Sequence, residues 1–238
     1  MDKPINNNSH HVIITIDGPA GAGKSTLAKG LAGNLGVMFL DSGATYRAAA
    51  LLALEMAVDV DNPEICVEIA RKAQIELRQS GVLNVEVFLN GRDVTSEIRT
   101  DRVAETASRI SIHPPVRQAL VALQRRIAEG HDIVAEGRDM GTVVFPHADL
   151  KFYLDSPVEE RAWRRKTELK EAGQEISMDE AKESIVRRDE RDMTRLDSPL
   201  IRPVDAVYLN NGNLHKDETL KLALKVIQEF LGLKPLER

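Results

Sequence analysis

The sequence predicts an α/β fold in which a parallel β-sheet is covered by helices. Three observations predict it. Strand-like and helical segments alternate over the first 56 residues, a glycine-rich turn joins the first such pair, and short apolar runs recur at residues 132–136 and 150–155. Alternating strands and helices give parallel neighbours, because each helix crosses back over the sheet before the next strand begins.

The first elements of the core are the easiest to assign. Residues 12–16 form a short apolar run rich in β-branched side chains, which is typical of a buried strand. A helix is expected over residues 24–35 and a second strand over residues 37–40. A helix rich in Ala and Leu follows over residues 44–56, since both residues favour helices.

An antiparallel meander is predicted to interrupt this pattern at about residues 69–100. Residues 74–78 and 84–89 alternate between apolar and polar side chains, with a turn expected at Ser80-Gly81. Asn90-Gly91 is a strong signal for a two-residue hairpin turn leading into a third strand. Inserted lobes of this kind often carry substrate contacts, although they also occur as decoration.

The rest of the chain is predicted to be mainly helical. Pro114-Pro115 separates two of its helices, and Gly173 joins two highly charged ones. The expected elements are helices over residues 102–112, 116–129, 157–172, 178–195 and 217–231 and a last strand over residues 206–209.

Composition limits the class of protein. The 238 residues suit one domain with inserted lobes, and 42% hydrophobic with 29% charged residues argue against disorder. A net charge of −5 argues against a nucleic-acid partner. The single cysteine, Cys66, excludes an intrachain disulfide and fits a reducing compartment. We expect a cytoplasmic monomer with no membrane contact, because no apolar run approaches 20 residues and the polar tail at 1–10 lacks a signal-peptide core.

The decisive motif lies between the first strand and the first helix. Residues 18–25 match G-x-x-x-x-G-K-[ST] in the required strand–turn–helix context, which makes a chance glycine-rich turn a weak alternative. Successive backbone N–H groups and the helix N-terminus cradle phosphates, Lys24 would lie along the β- and γ-phosphates, and Ser25 would bind Mg²⁺. The residues expected to bind ATP here are Gly18, Pro19, Ala20, Gly21, Ala22, Gly23, Lys24, Ser25 and Thr26.

Three further runs complete a resemblance to the bacterial cytidylate kinases. They are DSGATYR at 41–47, EGRDMGT at 136–142 and RDERDMTR at 188–195, in the order typical of that family. The resemblance implies a three-layer P-loop NTPase fold with a five-stranded parallel sheet, an inserted antiparallel β meander and a helical lid. It also implies transfer of the ATP γ-phosphoryl group to CMP or dCMP with Mg²⁺ as cofactor.

The resemblance also implies a division of the chain into structural units. The expected units are a P-loop core at residues 11–68, 101–155 and 196–238, an inserted lobe on the acceptor side at 69–100, a helical lid at 156–195 and a flexible tail at 1–10. Closure of such a lid would expel water, which competes with the acceptor for the phosphoryl group.

Arginines are expected between the two nucleotides. Two polyanions held close together repel each other, and guanidinium groups neutralise that repulsion and the charge of the transition state. Arg47 and Arg138 each follow a predicted strand, where α/β sheets place their ligands. The resemblance implies that both grip the acceptor phosphate, whereas the alternative is a surface arginine. Arg138 is expected to be catalytic together with Lys24, Arg188 and Arg195.

Recognition of the base follows from donor and acceptor chemistry. Cytosine presents an N4 amino donor where uracil presents the O4 acceptor, so a carboxylate selects cytosine. The resemblance assigns this role to Asp139, with Arg117 and Ser108 as the other base contacts and Ser42 as a further residue that binds CMP. Arg188 and Asp192 correspond to ribose contacts. They share one helix face and are equally compatible with an ordinary surface ion pair.

The metal and the lid complete the expectations. In the family, an acidic residue at the position of Glu136 orients water on Mg²⁺, so Ser25 and Glu136 are the predicted metal residues, with Asp17 a weaker candidate. Arg161 and Arg165 correspond to lid arginines that bind ATP, and residues 210–212 to an adenine-side loop.

Other functions remain open from sequence alone. A kinase for a small metabolite such as shikimate or gluconate would share the phosphate cradle but not need the meander insert. A GTPase switch would need an N-K-x-D guanine motif, which the sequence lacks. Activity with a panel of acceptors separates these alternatives.

Overall fold

The computed structural model describes residues 11–79, 85–171 and 173–232. The strands formed by these residues are β1 (Ile13–Asp17), β2 (Met38–Asp41), β3 (Ile75–Gln79), β4 (Val85–Leu89), β5 (Arg92–Asp93), β6 (Ile133–Gly137), β7 (Leu150–Asp155) and β8 (Val207–Asn210). The helices are α1 (Lys24–Leu35), α2 (Ser42–Glu55), α3 (Pro63–Lys72), α4 (Asp101–Ile110), α5 (Pro114–Ala128), α6 (Val158–Glu171), α7 (Met178–Thr194) and α8 (Lys216–Phe230).

A five-stranded parallel sheet forms the centre of the fold, as the sequence predicted. Its strand order is β2-β6-β1-β7-β8. The register pairs Asp17 with Gly137 and Asp41 with Glu136, so β1, β2 and β6 end side by side. In open α/β sheets, ligands bind beyond the carboxyl ends of the strands. This sheet therefore brings the phosphate-cradle motif and the predicted acceptor motifs to one edge.

Alternating residues of the central strands pack on opposite faces of the sheet, which produces the three layers. Val134 of β6 joins the apolar cluster of α1 and α8, where Leu31 and Ile227 are buried. The neighbouring Ile133 joins a cluster on the other face, which includes Val121 of α5. Burial on both faces explains why these strands read as nearly continuous apolar runs.

The predicted antiparallel meander forms as the sheet β3-β4-β5. Asn90 and Gly91 both adopt positive φ, 51° and 80°, which a tight hairpin turn of the primed type requires. Val87 and Leu89 of β4 are buried against α2, α3 and α4, so the insert shares a core with the helices that flank it. The predicted turn at Ser80-Gly81 lies outside the described residues.

Helix α3 and two short helical turns escaped sequence analysis. Asn62 caps α3 by accepting a hydrogen bond from the Glu64 N–H at 3.0 Å, and Pro63 occupies its first turn. A 3₁₀ turn covers Glu97–Arg99, and a π-helical turn covers Met140–Val144 directly after β6. The π-helical turn matters for function, because it follows the predicted acceptor residues.

Helices α6 and α7 form an antiparallel hairpin, which corresponds to the lid predicted at residues 156–195. Ala162 of α6 packs against Ala181 and Ile185 of α7 in a small apolar cluster of their own. A capping box between Ser177 and Glu180 starts α7. Within the described part of the chain, no helix has both the length and the apolar content needed to cross a bilayer.

Gly18 provides a test of the close packing where β1 runs into the cradle. It has φ +150°, and an added Cβ would lie 2.0 Å from the Leu154 carbonyl oxygen. Gly36 also has positive φ, +68°, but a Cβ there meets no atom within 4 Å. We expect Gly18→Ala to lower the free energy of unfolding by ~2 kcal/mol more than Gly36→Ala, because only the first adds a backbone clash to the conformational strain. Urea unfolding without nucleotide measures both, and equal losses would contradict the packing described.

Candidate active site

The glycine-rich loop presents an open helix N-terminus. Gly21 and Gly23 have φ of +72° and +90°, and α1 begins immediately after Gly23. The N-terminus of α1 has no side-chain cap. Its first N–H groups and the positive end of the helix dipole therefore face the loop, which is the arrangement that binds phosphate.

The loop is held from outside by the helical hairpin and by the segment after β8. Asp189 of α7 accepts a hydrogen bond from the Ala20 N–H at 2.8 Å and forms an ion pair with Arg161 of α6. Arg161 donates to the Ala20 carbonyl at 3.0 Å, and the Asn211 amide donates to the Ala22 carbonyl at 2.9 Å. The hairpin thus contacts the backbone of the phosphate loop directly.

The two predicted lid arginines occupy different places. Arg161 is buried beneath the loop, where it also donates to the Ser156 carbonyl at 2.9 Å. Arg165 lies one helical turn further along α6 and pairs with Asp101, the first residue of α4. Of these two arginines only Arg161 therefore contacts the loop, whereas Arg165 links the hairpin to α4.

Lys24 lies at the bottom of the cradle with its charge uncompensated. Its ammonium donates to the Pro19 carbonyl at 2.7 Å and forms no ion pair with any carboxylate of the described residues. Burial, and then the positive charge of Arg138, lower the Lys24 pKa to about 7. A phosphate placed here would reverse this effect, because an anion favours the charged ammonium.

Ser25 and Glu136 together offer a site suited to Mg²⁺. The Ser25 hydroxyl donates to Glu136 Oε1 at 2.6 Å, and Glu136 is the penultimate residue of β6, beside the cradle. No group of three or more His, Cys, Asp or Glu side chains that could hold a metal occurs among the described residues. Mg²⁺ is commonly bound by one or two protein oxygens together with substrate phosphates and water, and these two oxygens fit that pattern. Ser42 binds the same strand end by donating to the Glu136 carbonyl at 2.7 Å.

Arginines surround the space opposite the cradle. Arg138 donates to Asp192 at 2.7 Å, and Arg47 pairs with Asp41 at 2.7 Å. Burial acts to raise the pKa of Asp41, but Arg47 and then Arg99 outweigh it and hold this pKa below its ordinary value. Arg99, whose guanidinium lies 3.4 Å from Asp41, was not among the predicted site residues.

Arg188 is a half-buried cation close to Arg138. It makes no hydrogen bond or ion pair with the described residues, whereas its neighbours on α7 are paired. Burial, and then the like charge of Arg138, lower its pKa to about 10. Arg188, Arg138 and Lys24 therefore lie close enough to perturb one another, and the site they form is suited to a multiply charged anion.

A second, more enclosed group of charged side chains lies around Asp139. Asp139 is 2% exposed and forms an ion pair with Arg117, which is 1% exposed and lies 5.4 Å from the centre of the Tyr46 ring. Arg195 Nη2 lies 3.7 Å from Asp139. The Nε of Arg117 and Nη2 of Arg195 are buried without hydrogen-bond partners. Buried donors without partners are costly, so this group is suited to a ligand rich in acceptors.

The remaining predicted residues lie beside these two groups of side chains. Arg195 donates to Asp192 at 3.3 Å, so Asp192 bridges Arg138 and Arg195. Ser108 accepts a hydrogen bond from Arg191 at 3.0 Å, and Arg191 also pairs with Glu105. Arg191 is thus directed to α4. Asp189 was missed, although it lies inside the run RDERDMTR that signalled the site.

Replacement of Arg188 tests whether its charge is held at a cost to stability. We expect Arg188→Met not to lower the free energy of unfolding of the ligand-free protein, because it removes a half-buried cation that has no ion-pair partner among the described residues and is repelled by Arg138. Arg187→Met is the matched control, since Arg187 is exposed and its pair with Glu183 contributes at most ~0.5 kcal/mol. Thermal and urea unfolding measure both variants. A loss of ~2 kcal/mol in Arg188→Met alone would identify a structural arginine instead.

Comparisons with known proteins agree with this geometry. A family model described as cytidylate kinase matches residues 14–229. A cytidylate kinase from Solibacter usitatus is 47% identical over 219 residues, which cover 91% of this chain and 92% of that protein. A cytidylate kinase from Serratia proteamaculans is 44% identical over 222 residues, which cover 93% and 96% respectively.

Among solved structures, an uncharacterized protein from Eubacterium ventriosum has a TM-score of 0.51 at 12% identity, covering 92% of this chain and 99% of its own. That likeness concerns the fold alone. The family model covers most of the chain, and the two curated relatives exceed 40% identity over more than nine-tenths of it. The chain therefore belongs to the cytidylate kinase family.

Proposed function

We propose that the protein is a cytidylate kinase that transfers the γ-phosphoryl group of ATP to CMP or dCMP, giving CDP or dCDP. The observation that carries this proposal is the placement of two groups of charged side chains at one sheet edge. An open phosphate cradle with Lys24 lies near Arg138 and the unpaired Arg188, and the buried Asp139–Arg117 pair forms the second group. The first group suits a triphosphate, and the second suits a phosphate joined to a cytosine.

The donor side would bind ATP through the loop at residues 18–26. Its backbone N–H groups and Lys24 would hold the phosphates, because Lys24 has no competing carboxylate within ion-pair distance. Ser25 would bind Mg²⁺ directly and Glu136 through water, as their adjacent oxygens allow. Mg²⁺, when bound, neutralises charge on the β- and γ-phosphates.

The acceptor side would hold the CMP phosphate between Arg47 and Arg138. The guanidinium of Arg188 lies free to join them or to reach the ribose, together with Asp192. Because Arg138 and Arg195 both bind Asp192, a contact at the ribose would be coupled to the phosphate-binding arginines. These groups position the acceptor oxygen for in-line attack and cancel the repulsion between the two nucleotides.

The base would bind beside Asp139 and Arg117, with Ser42 and Ser108 at the border of this site. Asp139 would accept a hydrogen bond from the cytosine N4 amino group, whereas uracil O4 would face the carboxylate as a second acceptor. The unpartnered N–H groups of Arg117 and Arg195 supply donors for the O2 and N3 acceptors of cytosine. Selection against uracil then follows from an unpaired acceptor in a buried site.

Transfer needs neither a covalent intermediate nor a strong general base, because the acceptor phosphate is already ionised. The arginines bind the oxygens on which negative charge accumulates, and the helical hairpin limits access of water. Arg161 would act from beneath the loop, and Arg165 from the hairpin surface once it leaves Asp101.

The proposal extends to the organisation of the chain and its setting in the cell. We assign the P-loop core to residues 11–68, 101–155 and 196–238, the acceptor-side lobe to 69–100 and the lid to 156–195. The buried free thiol of Cys66 is compatible with a reducing cytoplasm. We also propose a monomer that acts without nucleic acid or membrane.

A panel of acceptors tests the function itself. ATP consumption is measured with CMP, dCMP, UMP, AMP and shikimate under identical conditions, with and without Mg²⁺. We expect rapid turnover with CMP and dCMP, much slower turnover with UMP and AMP, none with shikimate, and none with EDTA. Turnover independent of the acceptor would indicate a nucleotide hydrolase, and turnover with shikimate would indicate a small-metabolite kinase.

Asp139→Asn tests the assignment of base selection. The asparagine keeps the size of the side chain but offers an N–H donor that suits uracil O4, so we expect the ratio of kcat/KM for CMP over UMP to fall at least ~10-fold. Asp205→Asn is the control, since Asp205 pairs with Lys151 at 2.8 Å on an exposed loop. An unchanged ratio in a folded Asp139→Asn protein would refute the assignment.

A further inference from the structure

Asp17 carries a buried carboxylate that the proposed reaction does not use. It is the last residue of β1, is fully buried and immediately precedes the phosphate cradle. Its two oxygens nevertheless face away from the cradle, toward the segment after β6. Oδ1 accepts a hydrogen bond from the Met140 N–H at 2.8 Å, and Oδ2 accepts one from the Gly141 N–H at 2.7 Å.

These two N–H groups begin the π-helical turn Met140–Val144. Asp139 occupies the position before the turn but does not cap it with its own side chain, which is engaged by Arg117. Asp17 supplies the missing acceptors from the neighbouring strand. The Asp139 carbonyl is held separately, by hydrogen bonds from the Val143 and Val144 N–H groups at 2.9 and 3.1 Å. The backbone that carries Asp139 is therefore fixed on its C-terminal side by both sets of contacts.

The close approach of the two segments depends on Gly141. A Cβ at this position would lie 2.9 Å from Thr15 Oγ1 and 3.2 Å from Asp17 Oδ2. Both atoms belong to β1, so any side chain at 141 would push the turn away from the strand. The glycine and the carboxylate thus define one contact, which joins the strand that enters the donor site to the segment that carries Arg138 and Asp139.

We propose that Asp17 is a positioning residue that sets where Asp139 stands in the base pocket and Arg138 at the acceptor phosphate. This inference rests on the proposed function. It separates the roles of adjacent residues, because Gly18 and its successors form the donor cradle while Asp17 serves the acceptor. It also differs from a role near the metal, since both carboxylate oxygens are directed to backbone N–H groups.

Asp17→Asn tests this role at nearly constant size. An amide cannot accept from both N–H groups, so one of them faces an NH₂ group and the turn loses its fixed position. We expect KM for CMP to rise ~10-fold and the preference for CMP over UMP to fall, while KM for ATP stays within about twofold. Thr15→Val is the matched control, because Thr15 is buried on the same strand and its hydroxyl has no hydrogen-bond partner. It should leave all three quantities unchanged.

Gly141→Ala probes the same contact from the other side and replaces Asp17→Asn should that variant fail to fold. We expect the same selective effect on CMP. In the wild-type protein, amide hydrogen exchange followed by NMR should show strong protection of Met140 and Gly141. This readout requires no substitution and no substrate.

Three results would overturn the proposal. The first is a parallel rise of KM for ATP and CMP with lowered thermal stability, which marks a merely structural residue. The second is unchanged kinetics in the folded variants. The third is rapid exchange of the Met140 and Gly141 amides. The wild-type enzyme distinguishes failure of the proposed function. Absence of CDP formation by the wild type would refute the function, whereas normal wild-type turnover confines any of the three results to Asp17.

Discussion

Repulsion among buried and half-buried cations is the interaction on which the rest of the site depends. Lys24, Arg138 and Arg188 converge at the carboxyl ends of the sheet, and burial together with their mutual repulsion lowers the pKa of Lys24 and Arg188. Such charges would separate in a flexible chain, because each is more stable in water. The fold holds them together, so the electrostatic stabilisation needed by two polyanions exists before either arrives.

Carboxylates stabilise this arrangement by binding guanidinium groups and backbone N–H groups around it. Asp41 binds Arg47 and caps α2, Asp192 joins Arg138 to Arg195, and Asp189 holds both Arg161 and the loop backbone. Each carboxylate satisfies at least two donors at the periphery. Lys24 and Arg188 remain without an ion-pair partner among the described residues, although the net charge of the whole chain is −5. The sign of the overall charge says little about the field inside such a crevice.

Local patterns were sufficient for much of the fold and for the residue types of the site. β1, the phosphate loop and α1 follow from a strand, a glycine pattern and a helix that are contiguous in sequence, and the Asn90-Gly91 turn is equally local. Helix α3 was missed although Asn62-Pro63 marks its first turn and its apolar residues recur at helical spacing. The π-helical turn depends on Asp17, 123 residues away from Met140, so no local pattern reveals it. For the same reason sequence could not tell that Arg191 faces α4 or that Arg161 lies beneath the loop.

Arg161 and Arg165 of α6 show that the direction of a side chain matters more than its residue type. Arg161 is enclosed between Asp189 and two carbonyl groups, so moving it would leave buried partners unsatisfied. Arg165 is partly exposed, and so is its partner Asp101. Exposed pairs of this kind contribute about 0–1 kcal/mol, which is less than a charge-assisted bond to a phosphate provides. The Arg191–Glu105 pair, which also links the hairpin to α4, is similarly exposed. The hairpin is therefore bound firmly to the phosphate loop through Arg161 and Asp189, and only weakly to α4 through Arg165 and Arg191.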